Sequence, residues 1–433
     1  MVRLVQATNS ISSTEAVWCR YLLQSNHFRG WRVLAGNAKP NEKTATMLNL
    51  ETTGMRCLTF LVVVSAALQL NAAEHRIFIG TYTRGNDSSD GIYTCVFDDQ
   101  SGRLTSATLA TVADNPSFLA IHPSKNLVFA CNETNDFGDQ PTGAISAFRF
   151  NKSDSSLTLI NQQATGGGAP CHCTIDATGR YLLVANYLGG NVAVFPIAED
   201  GSLAPRSCLI NHVGTGPNTR RQEQPHAHSI NLSSDNRFAY AADLGTDRVM
   251  IYRFDDQAGR LVPSAADSVA IPAGGGPRHF SIHPSGHMAY TNNELTCEVT
   301  AFSRNAATGA LTAIQQISTL PPNFEGRKST AECLVHPNGR FLYVSNRGHD
   351  SIAVYAIDQQ NGRLTTVEIE KTGGQEPRNF VIDPSGRWLL AENQNSDTVV
   401  VMKIDPTTGA LTRTQGSISV GKPVCIRIAT GGL

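Results

Sequence analysis

Short apolar stretches alternate with turn residues along most of the chain, and the pattern repeats itself. From Pro277 the text runs Pro-Arg-His-Phe-Ser-Ile, then His-Pro-Ser-Gly, then a second apolar piece ending Tyr-Thr-Asn-Asn-Glu. An alternating stretch follows around Val299 to Phe302, then Ala307 to Leu311 (Ala-Thr-Gly-Ala-Leu). The same order recurs from Pro377, near Thr330, and from Pro116, Pro170 and Pro225, at intervals of about 47 to 55 residues. A period of that size is the mark of propeller blades. Each copy holds four pieces rich in Val, Ile, Phe and Tyr, with the partial alternation of half-buried strands. Pro-Ser-Gly or its equivalent joins the first piece to the second, an Asn-rich bend the second to the third, and Gly-x-Leu the third to the fourth. These residues supply the φ values that tight turns need.

Six copies leave a seventh blade to be built from both ends. Arg76 to Thr81 reads as a second strand and Gly91 to Phe97 as a third, with Ser101 to Leu104 as the next turn. The missing inner strand is available at Pro423 to Ile428. The prediction is an all-β, seven-bladed propeller over residues 74–433, its ring closed by strands from both termini so that no edge is left open.

Antiparallel connectivity then sorts the polar residues. The starts of the inner strands and the bends after Asn share one mouth of the central channel, and the Pro-Ser-Gly turns lie on the opposite face. His122, His283 and His336 precede Pro in those turns and read as scaffold. At the mouth stand residues that break the internal consensus. Strand starts bring Cys171-His172, His226 and His228, Arg278-His279, Ala331-Glu332 and Arg378-Asn379. Bends bring Asn132-Glu133, Asn186-Tyr187, Asp243, Asn293-Glu294, Asn346-Arg347 and Glu392-Asn393. The recurrent Asn is the residue that ties a bend by side-chain-to-backbone bonds. A long loop, His212 to Gln224, carries Arg220, Arg221, Gln222 and Glu223 toward the same opening. A ring of His, Glu and Arg in a concavity suits proton transfer and the holding of an anion.

Composition narrows the classes. The chain has 433 residues with 41% hydrophobic and 16% charged, and a formal net charge of −1. That balance gives no electrostatic case for nucleic acid or an anionic membrane. Residues 1–54 show no repeat and read as an over-long extension. Met55-Arg56, the apolar run Leu58 to Leu70, and Ala72-Ala73 before Glu74 read as a secretory signal peptide over 55–73. The run is short for a transmembrane helix, although an N-terminal anchor is the alternative. The expectation is a periplasmic or secreted protein with no stable membrane insertion after signal removal, or a cytoplasmic one if the segment is not processed. Eight of ten cysteines lie beyond it, mostly in apolar strand text, and read as buried thiols. Cys171-His172-Cys173 has the look of a metal cluster, but strand alternation separates its two thiols and no second pair is near.

The segments Pro225 to Ser229 (Pro-His-Ala-His-Ser), Gly276 to His279, Asn293-Glu294, Leu342 to Gly348 and Pro377 to Gly386 resemble the lactonase family of seven-bladed propellers. That family includes propeller-type 6-phosphogluconolactonases and the 3-carboxy-cis,cis-muconate lactonizing enzymes. The resemblance spans roughly Glu74 to the C-terminus. It implies that His228 (or its neighbour His226), Glu294, Arg278 and Arg347 are catalytic, and that Arg221 and Gln222 match an Arg-Gln pair before the His-Ala-His motif. His226, His279, Glu332, Arg378, Asn379 and His172 join them as substrate-binding residues. The implied chemistry is opening of a sugar-type lactone, with His228 or Glu294 as base on water and arginines on an anionic group or the oxyanion. Neither scheme calls for a metal or cofactor. The alternatives are a muconate-type cycloisomerase and a non-catalytic propeller that binds a ligand or protein at the same mouth.

Overall fold

The computed structural model describes residues 74–429 apart from Asn86 and Asp87. The expected extension and signal peptide, residues 1–54 and 55–73, lie outside the described residues. Among the described residues no helix is long and apolar enough to cross a membrane.

Seven antiparallel sheets form the ring. Blades 1 to 6 occupy residues 116–164, 170–211, 227–270, 277–318, 329–371 and 377–419, each with four strands in simple succession. Blade 7 takes its inner strand from Pro423–Ile428, its second from Glu74–Thr81 and its third from Gly91–Asp98. Its outer edge is split between Arg103–Leu104 and Thr108–Val112. Ring closure by both termini is thus as the repeat arithmetic predicts. One difference is that blade 3 pairs from Ala227 rather than Pro225, because the preceding loop still holds His226.

In blades 1 to 6 each second strand is buried from end to end, as in Leu127–Asn132 and Tyr181–Asn186. Both of its faces pack on neighbouring blades, which explains apolar runs in place of strict alternation. Blades are also stapled by polar bonds. Tyr240, Tyr290 and Tyr343 each donate a hydroxyl to a glycine carbonyl in the next blade, at 2.9, 3.0 and 2.8 Å. Trp388 does the same for ring closure, its indole N–H reaching Asp99 O at 2.7 Å.

The three turn histidines serve the same end. His122, His283 and His336 place Nε2 on the carbonyls of Gly179, Gly339 and Gly386 in the following blade, at 3.0, 2.7 and 2.8 Å. Gly339 and Gly386 have φ of +74° and +71°, and a Cβ on either would fall 2.6 Å from the imidazole. Glycine is needed there for both backbone angle and room. The bend asparagines act as the sequence suggested: Asn132 Nδ2 donates to Asp114 O at 2.7 Å and Asn346 Nδ2 to Thr319 O at 2.8 Å.

One buried group has no such support. Glu392, in the second strand of blade 6, is wholly buried and neither carboxyl oxygen meets a hydrogen-bond donor. Burial pushes its pKa well above 4.5, against the pull of Arg427 and with the repulsion of Glu332. A carboxyl raised in this way supports the fold fully below its unfolded value and withdraws that support as pH rises through the folded one. Glu392→Gln is therefore expected to raise the melting temperature, by a margin that widens from pH 5 to pH 8. Calorimetry at the two pH values checks it, and a constant difference would contradict it.

Candidate active site

The inner strands of a propeller start at this channel mouth beside the bends that follow the second strands, so two rings of side chains meet there. The register puts His228, Arg278 and Arg378 at equivalent positions, just after the residue that pairs with the bend. Glu133, Tyr187, Glu294 and Arg347 occupy the bend ring. Bulges just inside the strand starts, as between Pro277 and Phe280, turn consecutive side chains toward the channel.

Glu294 is the centre of the charged cluster. One oxygen takes Arg221 at 2.7 Å. The other lies 3.0 Å from Arg278 Nε and 3.1 Å from Arg347. The Arg278 contact is one of charge rather than an aligned hydrogen bond, since its Nε–H finds no acceptor on axis. His228 Nε2 stands 3.9 Å from the same oxygen. Burial alone would raise the Glu294 pKa, but Arg347, Arg278 and Arg221 outweigh it and hold it at about 2. Arg278 and Arg347 are anchored in turn, donating to Ala331 O at 2.5 Å and Thr330 O at 3.0 Å. Burial, with Arg378 and Arg347 nearby, lowers Arg278 to about 10.

Across the mouth, Tyr82 donates to Glu133, its hydroxyl 3.0 Å from both oxygens. The Arg378 guanidinium sits 5.2 Å over the Tyr82 ring and makes no hydrogen bond to protein among the described residues. Four guanidinium groups therefore face two carboxylates, and the mouth carries a surplus of positive charge. The imidazole of His228 does not add to it. Burial, then Arg278, push its pKa well below 6.5, so it is neutral. Cys171 Sγ lies 3.6 Å from His228 Nδ1.

The structure divides the sequence-selected residues into three groups. His228, Glu294, Arg278, Arg347, Arg221 and Arg378 share the mouth. His172, His279, Glu332 and Asn379 lie one step deeper, where they plug the channel. There the rings of Phe118, His172 and His279 meet, with centroids 4.2 Å apart for Phe118–His172 and 5.3 Å for His172–His279. Arg427 covers Phe118 at 4.3 Å. Gln222 and His226 are in neither place. Gln222 is wholly buried inside its own loop, donating to Leu244 O at 2.8 Å and Asp247 at 2.7 Å. His226 stacks on Tyr187 at 4.4 Å and faces Glu223 at 3.2 Å. Of the loop's four polar residues, only Arg221 reaches the cluster.

Tyr82, Phe118 and Arg427 were not selected from sequence. Tyr82 holds in blade 7 the bend position that Glu133 and Glu294 hold elsewhere, so applying the bend rule to the split blade would have found it. Phe118 and Arg427 carry no such signal. The two thiols of Cys171-His172-Cys173 do part: Cys171 faces the His228 carbonyl at 3.3 Å and Cys173 the Phe118 carbonyl at 3.9 Å. All eight cysteines in the described residues are free thiols.

Comparison with known proteins agrees with this architecture. Residues 76–428 match the family described as "Lactonase, 7-bladed beta-propeller". A 6-phosphogluconolactonase of Bacillus subtilis is 36% identical over 304 residues, 70% of this chain and 84% of that protein. A 6-phosphogluconolactonase of Formosa agariphila is 31% identical over 307 residues, 70% of this chain and 85% of its own. The solved structure of a periplasmic gluconolactonase from Pseudomonas aeruginosa superposes with a TM-score of 0.77 at 35% identity, covering 83% of this chain and 99% of that one. With the family match running over residues 76–428, nearly the whole ring, the chain belongs to the lactonase family of seven-bladed β-propellers.

Proposed function

We propose that the protein opens a sugar-type lactone by adding water to its carbonyl at the Glu294 mouth. The observation that carries the reading is the cluster itself: a buried carboxylate gathers three arginines around one point, beside a neutral imidazole. Fixed cations of this kind stabilise charge that develops on a carbonyl oxygen. Glu294 serves as the counter-charge that aims them, because a carboxylate held near pKa 2 by three cations is a poor base at neutral pH. The proton of water goes to a neutral imidazole instead.

Arg378 is the anchor for an anionic group on the substrate, since its donors make no hydrogen bond to protein among the described residues. The named relatives favour lactone hydrolysis over muconate-type cyclisation. The signal-like segment 55–73 favours a sugar lactone met outside the cytoplasm, in a periplasmic or secreted setting. No nucleic acid or further cofactor enters the scheme.

The test compares D-glucono-δ-lactone with its 6-phosphate, using acid release in a pH-indicator assay. Arg378→Ala is expected to lower kcat/KM for an anionic lactone about 10- to 100-fold, the scale of a charge-assisted hydrogen bond. The neutral lactone should change less than threefold. Equal losses on both would remove Arg378 from the anchoring role, and a wild-type protein silent on both would remove the hydrolase reading.

A further inference from the structure

The scheme above leaves the channel plug without a task. Yet its polar members are arranged with more order than a stopper requires. His279 Nδ1 lies 2.6 Å from Glu332 Oε1, and both side chains are about 95% buried, being 5% and 4% exposed. Glu332 is itself fixed: Cys333 N donates to Oε1 at 2.9 Å, and Asn379 Nδ2 donates to Oε2. Asn379 Oδ1 accepts from Ile426 N at 3.1 Å. His279 is held from behind as well, its backbone N–H on Asn292 Oδ1 at 3.0 Å.

An ionised carboxylate only accepts hydrogen bonds, so the His279 proton sits on Nδ1. The neutral ring then presents Nε2 as a bare acceptor. Nε2 makes no hydrogen bond to protein among the described residues. His279 lines the small pocket at the mouth together with Arg278, Arg378 and Glu133, and also the larger cavity lined by His172, Glu332 and Arg427. His228 is disposed the other way round. Its Nε2 faces the Glu294 carboxylate at 3.9 Å, and its Nδ1 faces the Cys171 thiol at 3.6 Å, so its proton belongs on Nε2. Two imidazoles 5.7 Å apart thus stand in complementary tautomers, one ready to accept and one ready to donate.

Resting on the lactone-opening reading, we infer that the Glu332–His279 pair is the general base of the site and that His228 is a hydrogen-bond donor to the reacting oxygen. Water gives its proton to His279 Nε2 as its oxygen bonds to the lactone carbonyl carbon. The tetrahedral intermediate then collapses, the bond between that carbon and the ring oxygen breaks, and Nε2 returns the proton to the ring oxygen. The product is the hydroxy acid, which ionises in solution. Glu332 touches no substrate; it is a positioning residue that fixes the tautomer and supports the imidazolium while it exists.

The charges around His279 set the pH dependence. Glu332 from blade 5 favours the protonated ring. Burial, Arg278 on its own strand and Arg427 from blade 7 oppose it. The imidazoles of His172 from blade 2 and His228 from blade 3 also pack on it. Removing the carboxylate must therefore lower the His279 pKa and move the acid limb of kcat/KM to lower pH.

The experiment measures kcat, KM and the pH profile on D-glucono-δ-lactone for wild type, His279→Gln, Glu332→Gln and His228→Gln. His279→Gln is expected to lose about 100-fold or more in kcat with KM within threefold, the scale of general-base catalysis. Glu332→Gln should lose about 10-fold or more, with its acid limb displaced downward. His279→Gln within threefold of wild type, or Glu332→Gln slower with an unmoved acid limb, overturns the assignment. Nitrogen NMR of the imidazoles reads the pair without turnover: wild type must show His279 protonated on Nδ1 and bare on Nε2. The opposite tautomer overturns the pair even if a variant fails to fold. A wild type that opens no lactone sinks the hydrolase reading instead, and the tautomer still decides the pair.

Discussion

A chain ending at Lys422 is expected to lose cooperative folding. Pro423–Ile428 supplies the whole inner strand of blade 7, and its only strand partner among the described residues is Glu74–Thr81. Val424, Cys425 and Ile426 are buried, and their loss would uncover Ile77, Ile79 and Phe118, which are buried too. Each large apolar side chain is worth about 1.5–3 kcal/mol on burial. Their sum is comparable with the ~5–15 kcal/mol that holds an ordinary domain together. The cut also removes bonds to both neighbours, Ile426 N to Asn379 at 3.1 Å and Arg427 Nε to Leu119 O at 3.1 Å. It leaves the backbone edge of Glu74–Thr81 unpaired at the channel. Calorimetry should show no sharp transition in the shortened chain. A transition within 5 °C of the full chain, an interval near the ~2–4 °C per kcal/mol typical of larger domains, would mean that closure is dispensable.

The second large effect is at Glu294. Glu294→Ala should cost about 3–5 kcal/mol of stability, because it leaves Arg278 and Arg347 buried without their counter-charge. Lactone turnover should fall with it, since the arginines lose the group that aims them. Glu294→Gln keeps the shape and isolates the charge. With a folded pKa of about 2 against an ordinary 4.5, the carboxylate stabilises the fold fully above 4.5 and loses that contribution as pH falls toward about 2. The wild type should accordingly be more stable than Glu294→Gln at pH 7, with the two converging in acid. Denaturant unfolding at pH 7 and pH 3 measures this. A gap that is no smaller at pH 3 would show that Glu294 is not held ionised by its arginines.

The two effects differ in how much of their basis was readable beforehand. Ring closure was readable because it is an arithmetic of strands: six complete copies, two pieces at one end and one at the other. The turn histidines were readable as scaffold because they recur, and the structure gives the reason in their bonds to Gly179, Gly339 and Gly386. The mouth residues were readable as a set because the two ends of a strand lie on opposite faces. The division of labour within that set was not. Nothing in the strand-start pattern says that Gln222 folds back into its loop, that His226 stacks on Tyr187, or that Arg278 and Arg347 donate to the carbonyls of Ala331 and Thr330 while Arg378 makes no hydrogen bond among the described residues. Those outcomes depend on the last few ångströms between side chains from different blades.

The amino-acid sequence alone therefore determined the number of blades, the strand that closes the ring, the face that carries consensus-breaking residues, and the family resemblance. Each follows from local pattern, turn chemistry and antiparallel connectivity, which act within one blade at a time. Only the tertiary structure decided that three arginines from two blades and a loop converge on Glu294, that Tyr82 of the split blade holds Glu133, and that Glu332 locks His279 beneath them. Those contacts join residues far apart in the chain across a shared channel. Burial there lowers the dielectric, and the resulting competition between desolvation and charge sets which groups are ionised.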